Sequence, residues 1–266
     1  MNVSILSWNV QGKINFTGYT SPNKTLPHLL VSDPDVVALQ EMCDAGPKLN
    51  RLSDLLKEYK IYIPEFNARI NNSDRFNHNV ILSKYPVLEF KEIHFPQLNP
   101  RAVLESCSRA DININSSILR IYNCHFGIFR SGIVTRMKQL KRVLSDAKEH
   151  QGPVIICGDL NVTIPRKSLL RWVISLWHQE PKSDMIVSDK LIIEDEREIF
   201  NKIIVSHGFK EVFDLYIPTW SPFKSRTCEL FQLKLDWFII KNTQVMSAKL
   251  GEYFSDHRPM EVQLLL

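Results

Sequence analysis

Short apolar runs rich in β-branched residues recur along this chain, and several of them stop at the same kind of residue. Val3–Trp8 runs into Asn9, Asp35–Gln40 into Glu41, Ile118–Cys124 into His125, and Pro153–Cys157 into Gly158-Asp159-Leu160-Asn161. Each run reads as a strand, so a carboxylate, carboxamide or imidazole falls at each strand end. Near the C-terminus the order reverses. Asp236 precedes Trp237–Ile240, and Asp256-His257 precede Arg258-Pro259 and the run Met260–Leu265. If these last two strands run antiparallel to the first four, all the polar groups meet at one edge of the sheets, although Asn9 and His257 stand at opposite ends of the chain.

Asn79–Ser83 and Ala110–Ile114 complete the predicted strands, and two helical patterns lie between them. Lys48–Tyr59 puts Leu49, Leu52, Leu55, Leu56 and Tyr59 on one face; Val134–His150 does the same with Val134, Met137, Leu140, Leu144 and Ala147, opposite Lys and Arg. Strands outnumber helices and several connections are too short for helical crossovers, which predicts a mixed sheet system with outer helices. No repeat or linker divides the 266 residues, so a single domain over 1–266 is expected, with an insertion around 163–201 that contains Trp172, Trp177 and the charged segment Glu194–Glu198.

Thirty-three Lys and Arg against 29 Asp and Glu give a net charge of +4, which suits an anionic substrate but is far from the charge density of a histone-like binder. Five widely spaced cysteines without a CxxC pair read as buried free thiols and favour a reducing compartment. The N-terminal residues lack the pattern of a secretory signal, and Leu169–Trp177, interrupted by Arg171, is too short to span a bilayer. A soluble, cytoplasmic protein is expected, with a monomer as the default.

Carboxylates and amides without a cysteine ligand are hard oxygen donors, suited to Mg²⁺ or Mn²⁺ rather than to structural zinc. Such an ion keeps water and phosphate oxygens among its ligands. Histidines beside carboxylates can hydrogen-bond or protonate a phosphoryl group in transfer, and an aspartate near the metal can orient or deprotonate the attacking water. The cluster therefore points to metal-assisted attack on a phosphate ester.

The same residues carry a resemblance. SWNVQG at Ser7–Gly12, ALQE at Ala38–Glu41, NCHF at Asn123–Phe126, GDLN at Gly158–Asn161, LDWF at Leu235–Phe238 and SDHRP at Ser255–Pro259 resemble the ordered motifs of the endonuclease/exonuclease/phosphatase superfamily, the fold of deoxyribonuclease I. ILSKYPV at Ile81–Val87 and Arg136…Gln139 are similar to it as well. The resemblance implies an α/β fold, a four-layer αββα sandwich of two mixed β-sheets flanked by helices. It also implies divalent-metal-dependent hydrolysis of a phosphodiester or phosphomonoester. By this resemblance Glu41 is the principal metal ligand, with Asn9 and Asp256 supporting metal and phosphate. Asp159 positions or activates the nucleophilic water, and Asn161 holds that water or the phosphate. His257 contacts the scissile phosphate and is oriented by Asp236, His125 donates to a non-bridging or leaving oxygen, and Arg109 stands where some relatives place a phosphate-binding arginine.

The motifs leave the substrate open. Asn123-Cys124-His125 departs from the Asn-rich segment of abasic-site endonucleases, and the Trp-Cys-Asp-Arg stretch of inositol phosphatases is absent. A histidine at position 125 is more like deoxyribonuclease I, sphingomyelinases, deadenylases and tyrosyl-DNA phosphodiesterases. Arg101, Arg109, Arg130 and Arg136 favour nucleic acid as the substrate. An exposed Leu169–Trp177 would favour a phospholipid headgroup or small phosphoester instead. A binding protein that has kept the fold without activity is the third reading.

Overall fold

The computed structural model describes residues 1–10, 31–43, 56–64, 68–69, 76–95, 106–127, 132–162, 196–221 and 232–266. Along these residues run β1 (Asn2–Asn9), β2 (Val36–Cys43), β3 (Lys60–Tyr62), β4 (Ala68–Arg69), β5 (Phe76–Ser83), β6 (Val87–His94), β7 (Ser106–Ile114) and β8 (Ser117–His125). They are followed by α1 (Gly132–Ala147), β9 (Val154–Asp159), α2 (Glu196–Ser206), β10 (Lys210–Glu211), β11 (Asp236–Lys241), β12 (Gln244–Leu250) and β13 (Met260–Leu265).

The strands form two mixed sheets, one of seven strands in the order β12-β13-β1-β2-β5-β3 with β4 also on β5, the other of six in the order β10-β11-β9-β8-β7-β6. β1–β2 and β8–β9 are parallel pairs, whereas β13 runs antiparallel to β1 and β11 antiparallel to β9. That is the arrangement the strand ends require. The C-terminal ends of β1, β2, β8 and β9 and the N-terminal ends of β11 and β13 share one edge.

The fold is an α/β sandwich. Val3, Ile5, Val36, Ala38, Met260 and Val262 of one sheet meet Leu119, Ile121, Ile155, Cys157, Phe238 and Ile240 of the other in a buried layer. On the outer face of the six-stranded sheet, Leu140, Val143 and Leu144 of α1 and Phe200 and Ile204 of α2 cover Tyr122, Ile156 and Trp237. On the outer face of the other sheet, Leu6, Trp8, Val37, Leu39 and Val80 pack with Leu56 and Tyr59. The helix expected over Lys48–Tyr59 lies largely outside the described residues, as do Leu169–Trp177 and most of the expected insertion. No helix among the described residues is long and apolar enough to cross a membrane.

Strand pleating alternates side chains between the two faces, and this arranges the inner faces in tiers. On β1 the inward series is Val3, Ile5, Ser7, Asn9; on β8 it is Leu119, Ile121, Asn123, His125; on β9 it is Ile155, Cys157, Asp159. Apolar residues fill the bottom, hydroxyls and carboxamides come mostly next, and the titratable groups stand at the rim. Gly158 lets β9 reach this edge. Its φ is +125°, and a Cβ there would stand 2.1 Å from the Cys124 carbonyl oxygen on β8, which any side chain would push away.

Several elements were not visible in the sequence. β6 and β12 are edge strands whose residues are mostly partly or fully exposed, so they lack an apolar alternation. α2 begins in the last residues of the expected insertion and runs past it: Glu196 and Glu198 in its first turn favour the helix dipole, while Phe200 and Ile204 bury one stripe. The β7–β8 hairpin turns at Asn115 and Ser116, both with positive φ (47° and 72°), as a tight two-residue turn demands.

Candidate active site

The rim gathers Asn9, Glu41, His125, Asp159, Asp236, Asp256 and His257. Asp159 is at the centre. Its Oδ2 accepts a 2.9 Å hydrogen bond from Asn9 Nδ2 and stands 3.7 Å from both His125 Nε2 and His257 Nε2. Its Oδ1 accepts the backbone N–H of Asn161 at 3.0 Å, which closes the turn that follows the strand. Asn161 sits at φ 52°, a conformation asparagine tolerates, and its Nδ2 donates to the Phe126 carbonyl at 2.9 Å. Asp236 lies directly opposite Asp159 in the β9–β11 register.

Glu41 reaches the site through a bulge. Leu39 pairs with Val80, but Met42 pairs with His78, so the β2–β5 register shifts between them. Simple alternation would turn Glu41 outward with Leu39. The bulge and a φ of 54° at Glu41 turn it inward, where Oε1 is 3.5 Å from His125 Nε2 and 3.4 Å from Asn9 Nδ2. A left-handed non-glycine residue costs on the order of 1–3 kcal/mol, and such strain concentrates at functional sites.

His257 is clamped from below. Its Nδ1 is 2.8 Å from Asp236 Oδ2, and its backbone N–H donates to Ser255 Oγ at 3.0 Å. Ser255 Oγ in turn donates to the Asn9 carbonyl at 2.8 Å, and Trp8 Nε1 donates to Ser255 Oγ at 3.1 Å, which ties β1 to the segment before β13. Thr219 Oγ1 accepts the N–H groups of Leu235 and Asp236 and fixes the start of β11. Trp220 Nε1 donates to Asp256 Oδ2 at 3.0 Å. Thr219 and Trp220 were not singled out from sequence, because no run of apolar residues leads to them.

Burial pushes the Asp159 carboxyl up to about 6; Asp236 and Glu41 push the same way, while His257 and His125 oppose them. For His257, burial favours the neutral ring, but Asp236, Asp256 and Asp159 outweigh it and hold the imidazole well above its ordinary value, as an imidazolium. Burial also raises Asp256; His257 opposes this and Glu41 adds to it. This is a site crowded with buried acid. Glu41, His125 and Asp159 bring one ligand atom each within 4.8 Å of one another, and Asp256 feels the Glu41 charge. The carboxylate oxygens of this group, led by Glu41, fit a hard divalent cation, which would relieve their repulsion and leave His125 as a hydrogen-bond donor.

The structure does not bring Arg109 to these residues. Ala110 and Ile112 face the other sheet, so Arg109 on β7 points to the outer face. There its guanidinium meets Glu89, Asp146 at 3.2 Å and Asp111 at 3.5 Å. Asp146 also accepts from the Tyr122 hydroxyl; burial raises it, but Tyr122 and Arg109 outweigh that and hold its carboxyl below the ordinary range. Arg109→Met should therefore act on stability. Asp111 keeps Arg120, Asp146 keeps the Tyr122 hydroxyl and Glu89 keeps Lys91, so the loss should be modest, about 1–2 kcal/mol for the lost charged hydrogen bonds, read as a lower urea midpoint with kcat/KM of the folded protein unchanged. Arg136 is likewise buried, bidentate to Glu196 at the start of α2, and donates to the Gly127 carbonyl. Neither arginine is a surface cation. Arg101 and Arg130 lie outside the described residues.

The model of the endonuclease/exonuclease/phosphatase family matches residues 6–257, a span that includes every one of the gathered groups. The chain belongs to this family. Members are phosphoesterase hydrolases, and the chain is a phosphoesterase of this superfamily. Solved structures share its fold at low identity. A family member from Beutenbergia cavernae superposes with a TM-score of 0.71 at 16% identity, over 100% of this chain and 72% of that one. TDP2 from D. rerio, complexed with single-strand DNA product, gives 0.68 at 18% identity over 100% and 99%, and truncated TDP2 from Caenorhabditis elegans gives 0.66 at 18% over 100% and 98%. No curated protein matches the sequence.

Proposed function

We propose that this chain is a Mg²⁺-dependent phosphodiesterase that hydrolyses phosphodiester bonds in nucleic acid. The observation that carries the reading is the position of Asp159, 3.7 Å from each of two imidazoles and beside the Glu41 carboxylate, with one imidazole backed by Asp236. The D. rerio neighbour bound to single-strand DNA product supports the substrate class.

Glu41, with Asn9 and Asp256 beside it, would hold the divalent ion, whose chemistry is charge stabilisation at phosphoryl oxygens. The remaining work falls to the chain. Asp159 orients the attacking water and takes its proton; a carboxyl raised to about 6 is basic enough to do this near neutral pH. Asp236 fixes Nδ1–H of His257, so Nε2–H is aimed into the rim. Its nearest carboxylates, at 3.7 and 3.9 Å, are beyond hydrogen-bond length, which leaves this donor for a phosphate oxygen. His125, across Asp159 from His257, donates to a second oxygen, and Asn161 holds the water or the phosphate beside Asp159.

A cleavage panel tests the proposal. Plasmid DNA, abasic duplex, oligo(A) RNA, tyrosyl-DNA, sphingomyelin and a phosphoinositide are compared with and without Mg²⁺. Cleavage of a nucleic-acid substrate that EDTA abolishes and added Mg²⁺ restores is the expected result, and Glu41→Gln should need more Mg²⁺ for half-maximal rate. Hydrolysis confined to the lipid substrates, or unaffected by EDTA, would overturn it.

A further inference from the structure

Below the rim lies a tier of carboxamides that the proposed chemistry does not use. Asn123 stands on β8 two residues before His125 and on the same face. It is fully buried, and its Nδ2 crosses to the opposite sheet to donate to two carbonyls at once, Leu39 at 2.9 Å and Val80 at 2.8 Å. Those carbonyls belong to the last regular pair of the β2–β5 ladder before the register shift that turns Glu41 inward. Gln40, the residue just before Glu41, answers in the other direction. Its Nε2 donates to Asn123 Oδ1 at 2.7 Å, and also contacts Ser7 Oγ at 3.3 Å and the Ala38 carbonyl at 3.1 Å.

The geometry matters because the two sheets supply different parts of the site. Glu41 and Asn9 come from the seven-stranded sheet, while His125, Asp159 and Asp236 come from the six-stranded one. Apolar packing is non-directional and sets no orientation at the rim. Paired amides do: the acceptor on Asn123 fixes which way its donor points, and that donor holds both carbonyls at the foot of the bulge.

We infer that Asn123 and Gln40 form a brace between the sheets, positioning residues that hold the Glu41 bulge in register with His125 and thereby set the affinity of the site for a divalent cation. The inference rests on the metal reading of the site, and the test separates the two. Mn²⁺ binding to the purified full chain is measured by calorimetry and by the loss of the free-ion paramagnetic resonance signal, neither of which depends on turnover. Wild type should bind Mn²⁺, and Glu41→Gln should bind it at least tenfold more weakly; if wild type does not bind, the metal reading fails. With wild-type binding established, Asn123→Leu keeps the branched shape of the side chain and removes the donor and the acceptor. It should weaken Mn²⁺ about tenfold. Gln40→Met removes the Gln40–Asn123 link, with the longer contacts to Ser7 Oγ and the Ala38 carbonyl, but leaves Asn123 Nδ2 on both carbonyls; it should weaken Mn²⁺ about threefold while the thermal midpoint stays close to wild type.

A merely structural role would lower the thermal midpoint and leave Mn²⁺ affinity of the folded protein unchanged. Wild-type Mn²⁺ affinity in folded Asn123→Leu overturns the brace. If that variant does not fold, wild-type affinity in Gln40→Met overturns it.

Discussion

Asp159→Asn should lower kcat by about 10²–10⁴-fold, the usual contribution of a positioned general base, while the protein stays folded. The substitution keeps one of the two local hydrogen bonds, because the new amide oxygen can accept from Asn9 Nδ2 or from the Asn161 N–H but not from both. What it removes is basicity at the carboxylate that, among the described residues, stands 3.7 Å from both imidazoles. The folded state holds this carboxyl above its ordinary value, so its charge costs stability above the unfolded pKa, most fully above about 6. An amide carries no such cost. This relief offsets the one hydrogen bond lost, so the thermal midpoint at neutral pH should stay close to that of the parent, measured beside single-turnover rates. A variant that kept near-parental turnover would show that the water is oriented by another group.

Asp236→Asn should be of similar size, with kcat down by about 10²–10⁴-fold, by analogy with the loss of the orienting aspartate in a serine-protease triad. Asp236 accepts from His257 Nδ1 at 2.8 Å and is the first of the three carboxylates that keep the ring protonated. An asparagine can offer an N–H to Nδ1 instead, which favours the tautomer with its hydrogen on the wrong side and removes charge support for the imidazolium. The backbone anchor at Thr219 survives the change, so the local fold should too. A proton-resolved spectrum of the His257 ring, titrated in parent and variant, checks the assignment: the ring should lose its proton at lower pH in the variant. An unchanged ring titration would place the charge support elsewhere.

Much of the site was legible because strand pleating converts spacing into position. An apolar run that ends in Asn9, His125 or Asp159 already states which residue reaches the rim, once the run is a strand and its inner face is known. The pairing of Asp236 with Asp159, and the return of His257 through β13, needed only the antiparallel arrangement that the reversed order implied. Arg109 misses the rim for the same reason that Asp159 reaches it. Its parity along β7 puts it on the outer face, and parity cannot be assigned until the inner face of that strand is known. Arg136 failed because its partner, Glu196, belongs to a helix inside a segment that reads as irregular.

The strands that carry the site, the polar residue at the end of each and the hard-oxygen character of the carboxylates were determined by the sequence itself, since they depend on local hydrophobic patterning and side-chain chemistry. The inward turn of Glu41, the carboxamide contacts between the sheets and the ionisation of Asp159 and His257 were decided only in three dimensions. Each depends on a register shift, a contact between residues far apart in the chain, or the burial of several charges together, and none of these leaves a periodic signal along the chain.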